Sequence, residues 1–221
     1  MEELAKLIDN ENVDVAYPEP NRINRYDKVD KKAVQTKIRT NEQLKKIQKE
    51  LEHKSYEDRL KWIQAGKTTA DNLYYENKFD EAMKEYLKAL MGLNYDGLTN
   101  DQRMYFDKEV KLKILINMGL CAYNIRHYEK TIKFLEQAKL ISDEPKIYYV
   151  YALVMFKLQN YEEALEMINK AIERAYNNYS ESVIDGYKSF QTKISKKLRE
   201  VRQKEKELYK NIMKAEIYVK L

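Results

Sequence analysis

A chain of 221 residues, 43% of them hydrophobic, can bury one medium core with length to spare, and 35% charged residues suits a surface of long helices. Five Gly and three Pro are too few for a turn-rich β protein, and a single cysteine, Cys121, excludes a disulfide framework and any metal site built on paired thiolates. The formal net charge is +5, and its placement along the chain matters more than its size. An all-α fold in a reducing, intracellular setting is expected. The longest apolar run, Ile147 to Phe156, is far shorter than the ~20 residues of a bilayer span, and the start "MEELAKLIDNENVD" is acidic rather than basic and then apolar. No membrane contact is expected.

Residues 1–40 hold Pro18, Pro20 and little periodicity, which predicts an extended arm suited to lying along a partner. Thr40 with Gln43 three residues later is a capping-box pattern, and it opens a charged leading helix over residues 41–55.

Residues 56–179 repeat themselves. "KFDEAMKEYLKAL", "HYEKTIKFLEQAKLI" and "NYEEALEMINKAIERA" align so that Phe79, Tyr128 and Tyr161 correspond, as do Ala82, Thr131 and Ala164, and Ala89, Ala138 and Ala171. Upstream, Ala70, Gly119 and Ala152 keep the same register, with offsets of 49 and then 33 at every one of the four positions. Small residues seven apart share a helix face, so they mark places where another backbone comes too close for a large side chain. A helical bundle with coincidental alanines is the competing reading. The first interval exceeds a repeat of about 34 residues, and the excess lies near 93–107. Thr99 with Gln102 is a second capping-box pattern, which predicts that the insert lengthens the front of the following helix.

From residue 180 to 221 one long helix is expected. Ile184, Tyr187, Gln191, Ile194, Leu198, Val201, Glu205, Leu208 and Ile212 follow alternating steps of 3 and 4, a seam whose first part should cover the last repeat. Residues 188–214 carry ten Lys and Arg against three Glu, or +7, which leaves −2 for the rest of the chain. The basic character therefore belongs to this helix, at Lys193, Lys196, Lys197, Arg199, Arg202 and Lys204 among others.

Three helix-turn-helix units with small residues at these crossings resemble the tetratricopeptide repeat (TPR). The insert before the second unit and the tail "FQTKISKKLREVRQKEKELYKNIM" resemble the repeat domain of large immunophilins and related stand-alone TPR proteins, over roughly Ser55 to Met213. The resemblance implies a three-repeat superhelix with a long capping helix. Immunophilins carry an isomerase domain ahead of the repeats, where this chain has only about 55 residues, so no isomerase activity is implied.

Within that resemblance, the first helices of the units line a groove, and some members clamp the free carboxylate of a heat-shock chaperone tail there. The matching positions here are Lys67, Asp71, Asn117, Lys146 and Val150. Lys67, Asn117 and Lys146 are of the expected types, whereas Asp71 would repel the ligand's carboxylate and Val150 stands where the pattern is basic. Tyr74, Tyr75, Lys113, Tyr123, Phe156 and Lys157 would line the same groove, a mixture suited to a peptide. For the basic helix, the resemblance implies a calmodulin-like acidic protein as one partner, and an acidic filament surface or RNA would be attracted by the same charge.

Catalytic patterns are wanting. His53 and His127 are the only histidines, and there is no HExxH, no Gly-rich phosphate loop and no paired Cys and His. Cys121 falls on a buried helix register and His127 in a turn. No cofactor and no metal is expected. The chain reads as a non-catalytic adaptor or scaffold in a larger protein assembly, with a chaperone-tail adaptor as the alternative and no nucleic-acid role expected. Richness in Lys, Asn, Tyr and Ile hints at an AT-rich genome, and a cytoskeletal or axonemal home is one setting that fits.

Overall fold

The computed structural model describes residues 42, 44–176 and 178–219, with side chains through residue 213. The expected arm over residues 1–40 and the Thr40–Gln43 capping box lie outside the described residues. The chain divides into two compact units, 1–133 and 134–221, and no strand occurs among the described residues.

The first unit holds α1 (44–52), α2 (Tyr56–Tyr75), α3 (Phe79–Met91), α4 (Asn100–Tyr105), a π-helical turn (Phe106–Lys111), α5 (Leu112–Asn124) and the first half of α6 (Tyr128–Lys139). Ser55 caps α2 by accepting the Asp58 N–H at 3.1 Å, and Glu57 and Asp58 complement the helix dipole in its first turn. Helix α2 packs on α3, and α3 on α5. The α2/α3 crossing is close enough that a Cβ on Gly66 would lie 3.2 Å from the Ala89 Cβ. Ala70, Ala82 and Ala89 are fully buried at that contact layer, as their repeat positions require.

The insert behaves as its capping box predicts. Gln102 N–H donates to Thr99 Oγ1 at 3.3 Å, Thr99 N–H donates back to Gln102 Oε1 at 3.0 Å, and α4 runs through the π turn into α5 without a break. The π turn is held by Phe106, fully buried with its ring 5.0 Å from Tyr56 and 6.1 Å from Tyr95. Next to it, the Tyr95 hydroxyl donates to Asp107 at 2.7 Å.

The second unit holds the rest of α6, α7 (Pro145–Lys157), α8 (Tyr161–Ala175) and α9 (Glu181–Val219). Pro145 opens α7 at a position where its missing N–H is not needed, and Asn160 caps α8 through the Glu163 N–H at 3.3 Å. Helix α7 packs on α8, and α8 on α9. Ile184, Tyr187 and Ile194 of α9 are buried, as the first part of the seam predicts, whereas every residue from Val201 to Met213 is exposed.

The α2–α3, α5–α6 and α7–α8 turns are built alike. Asn77, Arg126 and Gln159 adopt φ of 61°, 65° and 61°, each two residues before the next helix. The following N–H reaches back five residues: Lys78 to Leu73, His127 to Ala122 and Asn160 to Met155, each at 2.9 Å. This is the Schellman termination, which ordinarily favours Gly at the left-handed position. An L-residue there costs about 1–2 kcal/mol relative to its right-handed form. We therefore expect Gln159→Gly to raise stability by up to about 1 kcal/mol, the gain being trimmed by glycine's greater freedom when unfolded. The shift of the urea midpoint at constant m-value checks it.

Candidate functional site

In the first unit the side chains matched to a carboxylate clamp meet around Asp71. Lys67 and Asp71 lie one turn apart on α2, and Lys67 Nζ reaches Asp71 Oδ2 at 2.6 Å with both side chains about a third exposed. Asn117, from α5, donates through Nδ2 to Asp71 Oδ1 at 3.2 Å and lies 3.1 Å from the Tyr86 hydroxyl oxygen. The Tyr86 hydroxyl, from α3, donates to the same Asp71 Oδ1. Burial, followed by the Asp71 hydrogen bond, holds the Tyr86 phenol well above its ordinary pKa, so it remains a donor. One internal carboxylate thus engages an ammonium, a phenol and an amide.

Sequence reasoning found Lys67, Asp71 and Asn117 but missed Tyr86. A signal existed, because in repeat phase Tyr86 stands where the other units have Leu135 and Ile168. Asp71 likewise stands opposite Leu120 and Leu153. The two departures from the repeat pattern answer each other across the α2/α3 crossing.

The expected groove aromatics have structural duties. Tyr74 packs edge-on against Phe79 at 5.3 Å and Phe156 edge-on against Tyr161 at 5.4 Å, with Tyr123 tilted against Tyr128 at 6.0 Å, a ring pair recurring across each of these turns. The Tyr74 hydroxyl also accepts from Asn124 at 3.3 Å, and burial raises its phenol. Tyr75, by contrast, is 80% exposed. Lys113 is exposed and paired with Glu109 at 2.6 Å.

In the second unit Lys146 and Lys157 are exposed on α7, but Val150 is fully buried. Its expected place in a ligand-facing surface is therefore corrected: this face of α7 is core. Phe156 is also covered, since Phe190 of α9 lies 5.4 Å away and Lys193 Nζ sits 5.4 Å above its ring. Tyr149 stacks on Tyr187 at 4.9 Å beside it. The start of α9 thus occupies the aromatic face that α7 would otherwise offer.

The basic helix is partly neutralised within its own unit. Lys197 pairs with Glu200 at 2.7 Å, and Arg202 reaches Glu162 of α8 at 2.7 Å. Arg199 Nε donates to the Ser195 carbonyl at 3.3 Å, while Lys196 and Lys204 are exposed. A cluster with no local sequence signal lies at the start of α7. Asp143 accepts from the Tyr148 hydroxyl and from Arg174, and Arg174 lies 5.0 Å over the Tyr148 ring. The Tyr148 hydrogen bond, then that of Arg174, holds the Asp143 carboxyl below its ordinary range.

Cys121 is fully buried, and burial together with Asp80 and Asp71 pushes its thiol up to about 12. His127 is exposed in the α5–α6 turn. No helix among the described residues is long and apolar enough to cross a membrane.

A family described as anaphase-promoting complex, cyclosome, subunit 3 matches residues 104–171. Among solved structures, the C-terminal TPR-containing domain of a Plasmodium falciparum FK506-binding protein is 18% identical with a TM-score of 0.53, covering 69% of this chain and 99% of that one. The Aspergillus fumigatus Sgt2 TPR domain is 18% identical with a TM-score of 0.50, covering 64% and 82%. Pseudomonas aeruginosa PcrH, solved with the chaperone binding region of PopD, is 19% identical with a TM-score of 0.50, covering 65% and 95%. No curated protein matches the sequence. The likeness establishes a TPR fold of three helix pairs with a long C-terminal helix, similar to immunophilin-type repeat domains.

Two outcomes check the polar networks. Tyr86→Phe removes a donor to a charged acceptor and is expected to cost about 1–2 kcal/mol in chemical denaturation. Because the folded Asp143 pKa lies below its usual 3.8, the stability it lends is present above that value and is lost as pH falls through the folded one. Asp143→Asn should flatten the acid limb of a stability-versus-pH curve below the ordinary aspartate value of 3.8.

Proposed function

We propose that this chain is a non-catalytic adaptor that holds an internal segment of a protein partner, within a larger assembly, rather than reading a free C-terminus. The supporting observation is the state of Asp71. Its carboxylate already takes the hydrogen bonds of Lys67, Tyr86 and Asn117, two of which are residues matched to the clamp. A second carboxylate brought to these donors meets like charge at short range, which costs up to several kcal/mol where solvation is poor. TPR units present extended surfaces suited to peptides, and the exposed Tyr75 adds an aromatic anchor of the kind enriched at interfaces. A cytoskeletal or axonemal assembly belongs to the same proposal, motivated by composition. The exposed part of the basic helix supports an acidic partner there, a calmodulin-like one included.

The second reading is a chaperone-tail adaptor, favoured by Lys67, Asn117 and Lys146 being of the residue types a clamp uses. Sgt2, RPAP3 and PcrH, the last solved with the chaperone binding region of PopD, share the fold, so the reading has structural company. Calorimetry with a chaperone C-terminal peptide and its C-terminally amidated form separates the two. For the native chain no heat is expected with either peptide. Asp71→Asn should bind the free-acid peptide at least tenfold more tightly than the native chain, with the gain abolished by amidation. Micromolar binding by the native chain that amidation removes would instead put the chaperone reading first.

A further inference from the structure

Within the first unit, a cavity of about 540 Å³ lies between α1, the start of α2 and the chain leaving α3. Leu44 and Leu51, two turns apart, are buried on the inner face of α1, so Lys45 and Lys49 of the same helix come to line the cavity with Arg59 of α2.

Arg59 is the unusual group here. It is 5% exposed, and its Nη1 donates to the Asn94 carbonyl at 3.0 Å, but its Nε has no acceptor among the described residues. Arg59 enters none of the ion pairs formed among the described residues. A guanidinium withdrawn from water without a counter-charge carries an effective penalty of several kcal/mol, and folds keep such a group where an acceptor meets it. Tetratricopeptide geometry does not require it, because in repeat phase Arg59 precedes the part of helix A that the crossing uses.

The surroundings narrow the ligand. Lys45 and Lys49 are exposed and form no ion pair among the described residues, while Glu52 and Asp96 also line the cavity. Three cations against two acids leave a balance of +1, which suits a single negative charge and disfavours a polyanion. Leu51, Met91 and Leu93, all buried, form an apolar wall beside the charges. A planar guanidinium matches the geometry of a carboxylate, and an apolar wall alongside matches a hydrophobic neighbour in the same ligand.

We propose that this cavity is an oxyanion site for the carboxylate of an acidic side chain in a bound peptide, with an adjoining apolar residue seated on Leu51, Met91 and Leu93. The inference rests on the reading of the chain as a protein-interaction adaptor. It uses none of the residues around Asp71, so the calorimetric experiment on Asp71→Asn can fail without touching it.

The test is the Nε–Hε resonance of Arg59 in the full ¹⁵N-labelled chain, titrated separately with the capped peptide acetyl-Ala-Glu-Leu-Ala-amide, its Glu→Gln counterpart and inorganic phosphate. A saturable shift with the Glu peptide that the Gln peptide does not produce is expected. Lys49→Gln, a change on the exposed rim, should weaken that titration at least threefold at unchanged melting temperature. A resonance unmoved by both peptides, or moved equally by both, overturns the proposal. A shift with phosphate alone overturns the peptide assignment and leaves a site for inorganic oxyanions, whereas phosphate competing with the Glu peptide supports a shared carboxylate site.

Discussion

Close approach between paired helix backbones is the constraint from which the other features follow. At Gly66 and Ala89 the space between α2 and α3 is narrower than one added methyl group would tolerate without adjustment. Ala152, Ala164 and Ala171 are fully buried on the corresponding pair in the second unit. Crossings this tight require each chain reversal to be short and identically shaped, and the three Schellman turns supply it. A ring at the end of one helix then meets a ring at the start of the next, which accounts for the recurrent pairs Tyr74–Phe79, Tyr123–Tyr128 and Phe156–Tyr161.

That regularity makes departures meaningful. Where two units place Leu and Ile at one position of the second helix, the first places Tyr86, and where they place Leu on the first helix it places Asp71. An aspartate alone at a half-buried position would be unfavourable, and so would a buried phenol without an acceptor. Placed together, with Lys67 and Asn117 completing the set, each satisfies the other. The polar contact costs the pair little as a structural element. It commits Lys67, Tyr86 and Asn117 to an internal carboxylate.

Small residues in fixed phase made the helix pairs legible in the sequence, and Thr99 with Gln102 did the same for the extended second unit. Hydrophobic steps of 3 and 4 located the buried start of α9. What escaped depended on distance in sequence or on backbone shape. Arg126 and Gln159 give no hint of a left-handed conformation, because their side chains are not the ones that conformation favours. Register alone put Val150 and Phe156 in a ligand-facing row, but Val150 lies in the core and Phe156 packs against Phe190 of α9. Tyr148, Asp143 and Arg174 come together only because α7 and α8 are paired, and Arg174 is 31 residues from its partner. Arg59 carries no signal in the sequence, because it is buried beside a carbonyl 35 residues away, that of Asn94.

The division between satisfied and unsatisfied groups carries the functional argument one step further. Nearly every polar side chain at the helix crossings has a partner, including Thr131, whose hydroxyl donates to the His127 carbonyl at 3.2 Å. Against that background some groups stand out in each unit taken by itself: the Arg59 Nε, without an acceptor among the described residues, and the largely exposed Tyr75 in the first, and the exposed apolar side chains of Leu208, Tyr209, Ile212 and Met213 in the second. A fold that satisfies its interior so fully has no structural use for these exceptions. An exposed ring and an exposed apolar helix face are features that interaction surfaces are enriched in, and a buried guanidinium Nε with no acceptor among the described residues is the one polar exception beside them.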